Sequence, residues 1–134
     1  MSVPKHLWRF PTSEARESLA SRLGITYTSE MQDWEWEVSD SARISEFMGI
    51  YKSNKLTDDE SFSLMEVIVQ SFADLDKDLS ENKLWQETLK IISGRLDTHI
   101  YTVWYWSSFD ATHEFYVVSR HLKEIREASR KKYA

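Results

Sequence analysis

The stretch His99-Ile-Tyr-Thr-Val-Trp-Tyr-Trp106 decides between a mixed fold and an all-helical one. Its β-branched and aromatic residues suit a pleated surface, which predicts a strand. A short helix buried in an all-helical fold would have the same composition, because eight residues do not fix a period. Upstream, Trp34-Glu-Trp-Glu-Val38 alternates apolar and acidic residues with the period of a half-buried strand, so the two segments would form a small strand pair.

The rest of the chain reads as helix. Thr12 or Ser13 caps a first helix, with Ala15, Leu19, Ala20 and Leu23 in a stripe and Gly24 at its stop. A second spans Ser41 to about Lys52, capped by Ser39 or Asp40, because Ile44, Phe47, Met48 and Tyr51 recur at i, i+3, i+4 and i+7. Thr57-Asp-Asp-Glu60 spells a capping box, in which each end residue bonds the other's backbone amide. The helix it opens carries Phe62, Leu64, Met65, Val67, Ile68, Val69 and Phe72, apolar on more than one face, and belongs at the centre of the core. Ser80 caps a fourth helix that Gly94 stops, and Thr112 to about Arg130 forms a fifth. The expected fold is mainly α, a compact bundle of about five helices with a strand pair, and α+β is the alternative. The expected organisation is one domain over residues 1–134: an extended arm at 1–11, a helical core at 12–130 and a basic tail at 131–134.

Composition removes whole classes of function. The chain has 134 residues, 41% of them apolar, which suits a folded domain rather than a disordered one. With no cysteine it has no disulfide framework, thiolate metal site or thiol nucleophile. Three glycines are too few for a Gly-rich phosphate loop. The first twenty residues carry five charges and no apolar run, so no secretory leader is expected, and the expected location is the cytoplasm. No window approaches the roughly 18 apolar residues of a membrane span, so no membrane role is expected.

The net charge of −5 hides two opposed regions. Glu30 to Glu87 holds fifteen acidic and five basic residues, a local balance of −10, whereas Ser119 to Ala134 holds six basic and two acidic, a balance of +4. Solvated helix faces would account for both. The functional reading is an acidic face that attracts a basic protein and repels nucleic acid. Its candidate residues are Trp34, Glu35, Trp36 and Glu37, with Asp74, Asp76 and Asp78 on a loop between two helices. An exposed tryptophan rimmed by carboxylates would anchor such an interface.

Catalytic motifs do not emerge. Asp74, Asp76 and Asp78 imitate the first ligands of a calcium loop, but Leu79 and Trp85 occupy the positions that need glycine and the closing glutamate. His113-Glu114 begins a zinc-protease motif whose second histidine is replaced by Val117. His99 heads an aromatic segment and reads as a structural histidine. No catalytic residue, metal or cofactor is therefore assigned.

The segments Asp33-Trp-Glu-Trp-Glu-Val38, Leu56 to Leu75 and His99 to Ser107 together resemble a group of small bacterial proteins. In size, acidity and lack of catalytic motifs the chain is also similar to immunity proteins that neutralise bacterial toxins. That resemblance implies a non-enzymatic role, binding and blocking a basic toxin domain, and assigns no site residues. The alternatives are a homodimerising adaptor or regulator and, third, an enzyme whose site would join His99 or His113 to a carboxylate in a deep pocket.

Overall fold

In a computed structural model, which describes residues 3–133, all regular structure is helical. The described residues form seven α-helices and two 3-10 turns, Lys5–Leu7 and Ser41–Arg43. The helices group into two compact units, Phe10–Ser71 and Met1–Arg9 together with Phe72–Ala134.

The Phe10–Ser71 unit contains α1 (Ser13–Leu23), α2 (Trp34–Glu37), α3 (Ile44–Tyr51) and most of α4 (Asp58–Ala73). Thr12 caps α1 by accepting the Ala15 amide at 3.1 Å. Gly24 ends it with φ of +67°, a left-handed conformation that lets the Ile25 amide turn back to the Ala20 carbonyl. Both halves of the capping box form at α4: Glu60 N–H donates to Thr57 Oγ1 at 3.1 Å, and Thr57 N–H to Glu60 Oε1 at 2.8 Å. From Glu60 to Ala73 only Glu66 escapes full burial, so α4 is enclosed around its whole circumference, as a helix without a polar face must be. The expected second helix begins instead as the Ser41–Arg43 turn, where Asp40 caps Ala42 at 2.9 Å and its own amide reaches Ser71 Oγ.

The other unit contains α5 (Lys83–Gly94), α6 (Leu96–Trp106) and α7 (Tyr116–Tyr133). Asn82, not Ser80, caps α5, accepting the Trp85 amide at 2.9 Å, while Ser80 is spent on Asp78. Arg95 alone separates α5 from α6. Among the contacts that tie α6 to α7, Ser119 Oγ donates to the Trp106 carbonyl, Tyr133 donates to Asp97, and Arg126 donates to Ser107 Oγ just past α6 at 3.1 Å while lying 5.5 Å from the Trp104 ring centre. The N-terminal arm is not simply extended. Its 3-10 turn buries Leu7 against Ile100 and Trp104, beside Val3, Leu96 and Tyr133.

The strand pair does not form, and its two segments supply the helices beyond the expected five. In a strand Trp34 and Trp36 would share a face, whereas in a helix they lie about 200° apart. The structure buries Trp34 completely and leaves Trp36 61% exposed. In α6 the outward positions are Tyr101 and Tyr105, four residues apart, and the remaining positions from Thr98 to Trp106 are buried. The β-like composition of His99–Trp106 therefore reflects burial on most sides, not an extended backbone. The fifth expected helix starts later, at Tyr116, because Asp110 accepts from Thr112 and His113 from the Phe115 amide in a preceding turn. Residues 131–133 of the expected basic tail continue α7, and Ala134 lies outside the described residues.

Candidate functional site

The site residues of the Phe10–Ser71 unit are organised by one residue of α1. The Arg16 guanidinium grips Glu35 with two hydrogen bonds, Nε to Oε2 at 2.8 Å and a terminal nitrogen to Oε1 at 2.6 Å. It also donates to the backbone carbonyls of Met31 at 3.1 Å and Gln32 at 2.9 Å. Only the planar, five-donor fork of arginine can serve a carboxylate and two carbonyls at once. The hydrogen bonds with Glu35 raise the Arg16 pKa above its ordinary value despite partial burial. Trp34 adds a second fixing point, donating its indole N–H to the Thr26 carbonyl at 3.0 Å and meeting Tyr27 edge to face at 6.2 Å. Arg16 thus ties residues 31, 32 and 35 to α1, and the Trp34 contacts close segment 26–37 on itself.

The pinning sorts the four candidates of α2. Trp34 and Glu35 are buried and do structural work, whereas Trp36 and Glu37 are exposed. Trp36 and Glu37 line an open groove of about 600 Å³ together with Thr28, Glu30, Met31, Gln32 and Asp33. Among the described residues no ion pair reaches Glu30, Asp33 or Glu37. The groove therefore joins three uncompensated carboxylates, an exposed indole and a thioether, a combination chemically suited to a cationic side chain lying on an aromatic face.

Asp74, Asp76 and Asp78 are exposed on the loop before α5. Asp78 accepts both the amide and the hydroxyl of Ser80, at 2.9 and 2.7 Å, and these bonds hold its pKa below the ordinary aspartate value, with Arg120 3.8 Å away. Asp76 sits at φ of +49°, which a short polar side chain tolerates. Leu79 points inward, fully buried. The loop is a locally hydrogen-bonded turn.

The histidines are scattered. His99 is fully buried, and loss of hydration, with Arg95 and Arg9 nearby, pushes its pKa down to about 3, so it is neutral near pH 7. His113 is exposed and stacks with Phe109 at 4.3 Å. His121 accepts the indole N–H of Trp85 on Nδ1 at 2.9 Å. Among the described residues no group of three or more His, Asp and Glu side chains is placed to hold a metal ion, and no helix is long and apolar enough to cross a membrane. Tyr105, 43% exposed, stacks on Tyr101 at 6.1 Å and meets Phe109 edge to face at 5.9 Å.

The sequence named Trp36 and Glu37 among its candidates but gave no sign of Arg16, which is 19 residues from its partner and carries no local pattern. Glu30 and Asp33 belonged to the acidic stretch without being singled out. No family model matches the chain, and neither a curated protein nor a solved structure matches it.

Proposed function

We propose that this chain is a non-enzymatic, cytoplasmic protein-binding domain that takes a basic partner in the groove around Trp36 and blocks it, in the manner of an immunity or inhibitor protein. The observation that carries this reading is an exposed indole beside Glu30, Asp33 and Glu37 in one groove. Burying a large aromatic side chain on an otherwise wet surface invites an interface, and aromatic anchors dominate binding energy where they are covered. The three carboxylates supply long-range attraction to a cationic patch, and the Arg16 clamp fixes the groove before the partner arrives, which reduces the ordering cost of binding.

The test uses the purified protein as bait in a native lysate of its source, beside a Trp36→Ala bait. The expected result is a basic protein retained by the first bait, lost as salt rises, and depleted at least tenfold on the second. Equal retention of the same proteins on both baits would overturn the reading. A second reading, self-association through exposed Tyr105 and the half-buried Tyr101 beneath it, rests on their stacking at the surface. It predicts a concentration-dependent dimer by sedimentation that Tyr105→Ala abolishes; a monomer at every concentration contradicts it.

A further inference from the structure

The Trp85 indole is fully buried at the start of α5, packed on Phe72 with ring centres 4.9 Å apart. Its N–H therefore needs an acceptor inside the protein. The acceptor is His121 Nδ1 on α7, at 2.9 Å, with the two rings 6.0 Å apart and inclined at 60°. A ring nitrogen accepts only when it carries no proton, so this bond requires neutral His121 with its hydrogen on Nε2. The histidine is only half-buried, so a proton from solvent can reach it, whereas the indole it satisfies cannot turn to water.

We propose that His121 and Trp85 form an acid-sensitive latch between α5 and α7: a proton taken up at His121 Nδ1 sets N–H against N–H, breaks the hydrogen bond, and loosens the start of α5 together with the loop that carries Asp74, Asp76 and Asp78. The charged groups facing the imidazole are Arg120 and Glu124 on α7 and Asp78 on that loop. Burial and then Arg120 disfavour the charged ring; Glu124, the Val117 carbonyl one turn back and Asp78 favour it, and the balance lies below the ordinary histidine value. The latch is accordingly closed at neutral pH and opens on acidification below about 6.5.

The experiment follows the six indole N–H resonances of protein labelled with ¹⁵N-tryptophan from about pH 8 to about pH 4.5, assigning Trp85 by Trp85→Phe. The expected result is that the Trp85 resonance shifts with a single midpoint below 6.5 that coincides with the midpoint of the His121 ring protons. In His121→Gln, whose amide oxygen accepts without titrating, the same resonance stays within the pH response of the other five. A Trp85 resonance that is flat while His121 titrates overturns the latch, as does an equal shift in His121→Gln. Where the glutamine variant does not fold, solvent exchange of the buried Trp85 indole proton decides the matter in the unmodified protein: exchange that quickens through the His121 midpoint is the expected result, and exchange that stays constant overturns the latch.

Discussion

The acidic segment at 30–37 and the acidic loop at 74–78 have similar compositions and opposite fates. In the first, an arginine from α1 draws Glu35 inside, ties down two neighbouring carbonyls, and leaves Trp36 turned outward among three uncompensated carboxylates. In the second, Asp78 is absorbed by Ser80 two residues away and the apolar neighbour Leu79 turns inward. The difference shows that carboxylate density does not make a binding surface. A distant cation that converts one carboxylate into structure can give the remaining ones a shape.

The comparison breaks most easily at Arg16. Arg16→Ala leaves the Glu35 carboxylate buried without its partner and two backbone carbonyls without a donor, and should cost about 3 kcal/mol or more, read as a fall in the urea midpoint. Arg16→Lys should recover little, because an ammonium cannot serve all three acceptors in this fork geometry. Asp78→Ala, on the exposed loop, should move the midpoint far less. If the two alanine variants were equally stable, the distinction between a shaped and a solvated acidic region would fall.

Acid sharpens the same contrast between buried and exposed groups. In the unfolded chain His99 takes up its proton near 6.5, but in the folded protein only near 3. Between those values the unfolded state binds the extra proton, so stability falls with falling pH by up to about 1.4 kcal/mol per unit, and the loss levels off below about 3. His99→Asn should flatten this slope in urea titrations at successive pH values. A smaller effect than that at Arg16 concerns a partnership built within four residues: Thr57→Ala removes one arm of the capping box and should cost about 1 kcal/mol.

That ordering matches what could be read from sequence. The α4 capping box is written at i and i+3, and the α1 cap and its glycine stop are equally local, so these were legible. The enclosed body of α4 was legible too, since seven apolar residues leave no polar face. The segments at Trp34 and His99 misled because alternation over four or five residues fits a strand and a helical turn alike, and burial enriches the same residues that strands favour. Ser80 was read as a cap because its type suits one, yet Asn82 takes that place. In the candidate site, Trp36 and Glu37 were visible as an aromatic among acids. That Glu35 faces inward depends on Arg16, and no spacing rule links residues 16 and 35.

The central claim is that the groove around Trp36, and not acidity in general, receives a cationic partner. The direct measurement is calorimetric titration of an oligo-arginine peptide into the protein, into Glu30→Gln/Asp33→Asn/Glu37→Gln, and into Asp74→Asn/Asp76→Asn/Asp78→Asn. Each triple substitution removes three negative charges, so the net charge changes equally. The account predicts at least a tenfold loss of affinity in the first variant and near-native binding in the second. Equal weakening in both, or undiminished binding by the first, would contradict it.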